Sequence, residues 1–167
     1  DAIAAALDGT LDAIVTAPIS KTSWHQAGIR KYPGHTELLA DRCHTKRVAM
    51  MFVAPQLKVV LATIHEALSQ IPNKFNIGCV FNPLDLANAA LRDWFAIASP
   101  RLGVCGLNPH AGEDGQFGDE EQRIIVPAIT MAAEAGMRVE GPFPADSLFP
   151  KALDGRYDCI LAMYHDQ

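Results

Sequence analysis

The sequence predicts a layered α/β domain built on a mostly parallel sheet. Two observations carry that expectation. Short apolar runs of strand length recur along the chain, and segments with apolar residues at helical spacing stand between them. Taken in order, residues 2–8 read as the end of a helix stopped by Gly9, in a helical pattern already under way at Asp1. Residues 12–17 (DAIVTA) read as a buried strand. Ser20 caps a helix running to about Ala27 and ended by Gly28, Pro33-Gly34 marks a turn, and His35 to Cys43 is helical. Residues 47–54 (RVAMMFVA) and 57–64 (LKVVLATI) read as strands, and the short Pro55-Gln56 gap allows a hairpin and hence a mixed sheet.

Asn82 and Pro83 suit a helix opening, with Asn as cap and Pro at the first helical position. Leu84, Ala87, Leu91, Trp94, Phe95 and Ala98 then form its apolar face. Residues 102–107 (LGVCGL) are another strand. Asp119 with Gln122 fits a capping box for a helix whose apolar face is Ile124, Ile125, Ala128, Ile129, Ala132 and Ala133, ended by Gly136. A short strand at 137–140, a turn at Pro144-Ala145 and a last strand at 157–163 (YDCILAM) complete the order.

A chain of 167 residues is long enough for one domain with its own hydrophobic core. Its 49% hydrophobic and 20% charged residues are ordinary for a soluble globular protein. The net charge of −5 gives no general attraction to nucleic acid or an anionic membrane, so neither partner is expected. An anionic small substrate would need local cations. Cys43, Cys79, Cys105 and Cys159 are widely spaced and form no C-x-x-C pair. Cys105 and Cys159 sit inside apolar runs, where a free thiol packs as a small hydrophobe, and a reducing cytoplasm is the expected location. No apolar run approaches the ~20 residues that span a bilayer, and no signal peptide is visible. Both ends read as cut from a longer protein, with flanks missing on either side of residues 1–167.

The chemistry gathers where strands end. DAIVTA is followed shortly by Lys21, LKVVLATI by His65, LGVCGL by Asn108-Pro109-His110, and YDCILAMY by His165-Asp166. In an open, mostly parallel sheet those carboxyl ends share one edge, which is where such folds place ligands. Three histidines far apart in sequence would meet there, and imidazole suits zinc, cobalt or manganese. Each histidine reads equally well as a lone loop residue held by a backbone hydrogen bond, and His25 and His44 read as solvated residues on helices. The loop from Asn108 to Gly118 is glycine-rich, and Glu113 and Asp114 lie within reach of a metal or of His110. It reads also as a plain connection. The acids Asp119, Glu120 and Glu121 at the following helix start would repel an anion. Phosphate is better placed at Gly34-His35-Thr36, with Lys21, Arg30 and Lys31 close in sequence, though His35 and Thr36 read equally as simple capping groups. Asp146 reads as a further metal or supporting ligand, or as the cap of the next helix, with spacing alone favouring the cap. No G-x-G-x-x-G string announces a Rossmann dinucleotide site.

Six strings occur in order: Ala17-Pro18-Ile19-Ser20-Lys21, Gly34-His35-Thr36-Glu37, Leu61-Ala62-Thr63-Ile64-His65, residues 106–113 (GLNPHAGE), residues 144–149 (PADSLF) and residues 162–167 (AMYHDQ). Together they resemble the 4-hydroxythreonine-4-phosphate dehydrogenase family of vitamin B6 synthesis, across the whole chain. The resemblance implies a layered α/β/α fold like that of isocitrate and isopropylmalate dehydrogenases, not Rossmann. It also implies oxidation of 4-phosphooxy-L-threonine by NAD or NADP, followed by decarboxylation to 3-amino-2-oxopropyl phosphate. By motif, His65, His110 and His165 correspond to ligands of a divalent metal (Zn, Mg, Co or Mn), and His35 and Thr36 to substrate contacts. Lys21, Asp166 and Asp146 stand beside the site, with Lys21 and Asp166 both open as the proton-handling group. A homodimer with the active site between subunits is implied too, while the nucleotide-binding residues are unknown. Other readings are a relative acting on erythronate or threonate phosphate, a metal-binding fragment without redox activity, and a zinc hydrolase.

Overall fold

Five strands form one sheet in the computed structural model, which describes residues 2–32 and 34–167. They are β1 (Met51–Val53), β2 (Lys58–Leu61), β3 (Arg101–Cys105), β4 (Arg138–Phe143) and β5 (Cys159–Ala162), in the order β1-β2-β5-β3-β4. β1 pairs antiparallel with β2, so the Pro55-Gln56 gap does make a hairpin. The other neighbours, β2 with β5, β5 with β3 and β3 with β4, are parallel. The sheet is mixed, with a single antiparallel edge strand.

Period-two alternation divides the strand residues between two faces. Val60, Leu102, Val104, Cys159 and Leu161 point into the larger core. There they meet α5 (Ile77–Asp93) through Val80, Leu84, Ala87 and Leu91, and α6 (Val126–Glu134) through Ala128 and Ala132. On the opposite face Cys105, Ile160 and Tyr157 pack against Leu148 and Ala152 of α7 (Ala145–Leu153). Gly103 faces α7, and a Cβ there would meet Leu148 at 2.9 Å, so this position must stay small. Helices on both faces of the sheet give the three layers expected.

The chain divides into two compact units, Asp1–Val48 and Ala49–Gln167, and the sheet belongs to the second. The first carries α1 (Ala2–Leu7), α2 (Lys21–Gln26) and α3 (His35–Arg42); a fourth short helix, α4 (Ile71–Lys74), belongs to the second. Gly9 and Gly28 take positive φ, at 79° and 85°, consistent with their reading as helix stops. The expected features at Asp1 and Pro33 lie outside the described residues.

Residues 12–17 form no strand, and Val15 is 97% exposed. An apolar run becomes a strand only where a neighbour takes up its N–H and C=O groups, and none of the sheet's pairings involves these residues. The run at 47–54 narrows to Met51–Val53 for the same reason, since its pairing with β2 covers only those positions. The helix expected from Asn82 begins earlier. Asn76 is the cap, its side-chain oxygen accepting the Cys79 N–H at 3.2 Å. Pro83 lies in the helix interior and is buried, so the apolar spacing Val80, Leu84, Ala87, Leu91 overrides the boundary signal that proline gives. The helix ends at Asp93, which leaves Trp94 81% exposed and Ala98 outside the apolar face.

Candidate active site

Because β2, β5, β3 and β4 run parallel, their carboxyl ends lie along one edge of the sheet. β2 leads to Thr63 and His65, β5 to His165, Asp166 and Gln167, β3 to Asn108 and His110, and β4 to Asp146 in the first turn of α7. Two side chains tie this edge together. The Thr63 hydroxyl donates to the Met163 carbonyl at 2.7 Å, joining the ends of β2 and β5. Gln167 accepts the Met163 N–H through Oε1 and donates to the Gly106 carbonyl through Nε2, both at 2.7 Å, joining β5 to β3.

His65 and His165 come together, with ring centroids 5.9 Å apart, and Phe52 meets His165 edge-on at 5.5 Å. Asp166 Oδ1 is 2.8 Å from His165 Nδ1. With the carboxylate ionised, Nδ1 carries the proton and Nε2 is left with its lone pair, the tautomer a metal ligand requires. His110 stands elsewhere, its ring 6.0 Å from that of Phe117. It lines an open cleft of about 370 Å³ with Asn108, Pro144, Asp146, Tyr164 and Gln167. Among the described residues no three His, Cys, Asp or Glu side chains gather closely enough to hold a metal ion. The donor chemistry fits a divalent ion, and one chain brings two of the three imidazoles into contact.

Asp146 is the second residue of α7 and caps nothing. The N-cap is Pro144, and no side chain fills that role. A carboxylate one turn into a helix still complements the positive end of the helix dipole. Glu113 and Asp114 point into solvent.

The loop after β3 is the most constrained part of this edge. His110, Ala111, Gly112, Glu113 and Asp114 are all left-handed, with φ between 43° and 84°. Each non-glycine residue there costs about 1–2 kcal/mol relative to a right-handed turn. Glu121, 3% exposed, holds the base of this loop. Its Oε1 accepts the N–H groups of Leu107 and Asn108 at 2.7 Å each, and its Oε2 accepts from Asn108 Nδ2 at 2.9 Å. From the sequence, Glu121 is one of three acids at a helix start that would repel an anion. The signal that it is buried was its spacing, since Glu121, Ile125, Ala128 and Ala132 form one helical stripe.

In the first unit, Ser20 caps α2 by accepting the Ser23 N–H at 3.2 Å. Lys21 opens that helix and lines a shallow cleft with Thr22, His25, Gln26 and Arg30. His35 and Thr36 are the first two residues of α3, half-buried, and Trp24 packs edge-on against His35 at 5.6 Å. Lys31 is committed locally: its Nζ lies 2.8 Å from Asp41 Oδ1, which raises the lysine pKa and holds the carboxyl below its ordinary range. His25 and His44 are exposed, and His44 follows α3 instead of lying on it.

Parallel strands that end together in imidazole, carboxylate and amide side chains define an α/β protein with the kind of carboxyl edge at which open α/β folds bind ligands. The chain belongs to the pyridoxal phosphate biosynthetic protein PdxA family, whose family model matches residues 1–167. It is 48% identical over 162 residues to a 4-hydroxythreonine-4-phosphate dehydrogenase of Desulforapulum autotrophicum, covering 97% of this chain and 47% of that relative. It is 47% identical over 167 residues to a D-threonate 4-phosphate dehydrogenase of Cupriavidus necator, covering 99% of this chain and 50% of that one. The crystal structure of the Klebsiella pneumoniae 4-hydroxythreonine-4-phosphate dehydrogenase superposes with a TM-score of 0.93 at 44% identity, over 99% of this chain and 50% of that one. The fold is therefore the isocitrate/isopropylmalate dehydrogenase-like one. The chain spans about half the length of the curated relatives it matches. Among the described residues no helix is long and apolar enough to cross a membrane.

Proposed function

We propose that the intact protein is a divalent-metal- and NAD(P)-dependent dehydrogenase that oxidises and then decarboxylates a phosphorylated four-carbon hydroxy acid. The observation that carries this reading is the His65–His165 pair at the ends of adjacent parallel strands, with Asp166 on Nδ1 of His165, in a chain whose relatives are dehydrogenases. Its first candidate substrate is 4-phosphooxy-L-threonine, giving 3-amino-2-oxopropyl phosphate for pyridoxal 5'-phosphate synthesis. The second is D-threonate 4-phosphate, favoured by a relative of nearly equal identity. Both named substrates carry a phosphate on a four-carbon acid, so the substrate class is the same for either.

His65, His110 and His165 would hold the ion (Zn, Mg, Co or Mn), in a set completed across the two subunits of a homodimer. Bound there, a divalent ion supplies Lewis acidity, making a coordinated hydroxyl more acidic and offsetting negative charge on oxygen. Asp166 fixes the tautomer of His165 and is one candidate to take the proton of the reacting hydroxyl; Lys21 is the other. His35 and Thr36 bind the phosphate at the amino end of α3, where free N–H groups face outward. The Glu37 carboxylate in the same turn must then swing aside. Asp146 supports the cleft around His110. The buried free thiols fit a cytoplasmic protein.

The test is formation of reduced nicotinamide by the intact protein with each substrate in turn, with and without a chelator. Turnover on one of them, abolished by chelation and restored by metal, supports the reading. No turnover on either, with metal bound, would leave a metal-binding module. Hydrolysis of the phosphate without nicotinamide reduction would point to a hydrolase.

A further inference from the structure

We propose that Glu121 is a positioning residue, whose buried carboxylate holds the left-handed loop that presents His110. The inference rests on the reading of His110 as a metal ligand and adds the device that places it. A buried carboxylate needs partners, because an ionised group left without them is costly away from water. Glu121 finds them in the backbone N–H groups of Leu107 and Asn108 and in the Asn108 side chain, all at the exit of β3. Asn108 Nδ2 also donates to Glu120 Oε2 at 2.7 Å, so two successive carboxylates grip the same amide.

The packing leaves the loop little freedom around that grip. A Cβ on Gly112 would stand 2.7 Å from Glu121 Oε2, and one on Gly106 would stand 2.7 Å from the Ala111 Cα. A Cβ on Gly118 would stand 2.5 Å from Asn108 Nδ2. The three glycines thus let the chain close around the carboxylate from both sides. The Phe117 N–H donates to the Gly112 carbonyl at 3.1 Å, closing the left-handed turn. Glu121 itself begins a π-helical turn, Glu121–Ile125, a local irregularity that often marks functional positions. The strain in residues 110–114 is retained because the carboxylate over-determines the loop, and His110 is its first left-handed residue.

The test compares wild type with Glu121→Gln in the intact protein. A glutamine keeps one acceptor oxygen but turns an N–H₂ toward the Asn108 amide. In metal-free protein, hydrogen exchange at the Leu107 and Asn108 amides should speed up by at least tenfold. The ring C–H signal of His110 should change from a single line to a broadened or split one, while the melting temperature of the core stays close to wild type. In the metal-loaded enzyme, metal affinity should fall 10- to 100-fold, the range for groups that orient a metal ligand. Gly112→Ala, which crowds the carboxylate from the loop side, should give the same pattern and serves if Glu121→Gln does not fold. Unchanged exchange and an unchanged His110 signal would overturn the proposal, as would faster exchange with unaltered metal affinity. If wild type binds no metal, the proposed function fails, while the exchange and ring signals still decide whether Glu121 places His110.

Discussion

Asp158 and the two buried thiols make their environments measurable one residue at a time. Asp158 accepts the Arg101 backbone N–H at 2.8 Å and the guanidinium through both oxygens, which holds its carboxyl below the usual carboxylate range. A lowered carboxyl pKa stabilises the fold above the unfolded value, and that contribution is lost as pH falls through the folded one. Asp158→Asn should therefore cost about 1 kcal/mol at neutral pH, at the modest end because the pair is partly open to solvent. Denaturant midpoints of the two proteins should converge once acid protonates Asp158 in the wild type, and a gap that persisted there would contradict the assignment. Burial pushes Cys105 and Cys159 up to about 12, so neither is a thiolate near neutrality. Iodoacetamide should label the exposed Cys43 in the native protein and reach Cys105 and Cys159 only after unfolding, which mass spectrometry can count.

At the scale of elements, the start of α5 separates two signals that the sequence sets only six residues apart. Asn76→Ala should cost about 1 kcal/mol, because it removes the side-chain oxygen that accepts the Cys79 N–H. Asn82→Ala, at an exposed position inside the helix, should stay within about 0.5 kcal/mol. Equal losses in chemical denaturation would restore Asn82 as a cap. Gly106→Ala should cost about 1–3 kcal/mol through overpacking, since its Cβ would meet backbone at Ala111. The sheet was legible because β2, β3 and β5 are buried on both faces and read as continuous apolar runs. DAIVTA has the same composition but no pairing partner among the described residues, and composition does not report partners. The edge residues His65, His110, His165 and Asp146 were legible because each follows a strand. Glu121 was not, because a carboxylate in an acid run looks solvated until its place in the buried helical stripe is noticed. The ties made by Thr63 and Gln167 depend on neighbours 100 and 61 residues away in sequence, respectively, which no local pattern encodes.

For the whole molecule, the separation of His110 from the His65–His165 contact is what the proposed two-subunit site would bridge. If the histidines of two copies complete each site, intact protein carrying His65→Ala, mixed and reassembled with protein carrying His110→Ala, should recover part of the activity that each has lost. Failure of every such pairing to recover activity would argue for a site closed within one chain. The central claim is that the carboxyl edge of the sheet holds one divalent ion through His65, His110 and His165. Elemental analysis of the purified intact protein and of the three single His→Ala variants tests it most directly. About one equivalent of divalent metal per site in the wild type, lost in each variant while the fold is kept, is the expected result. A full equivalent retained in all three variants would contradict it.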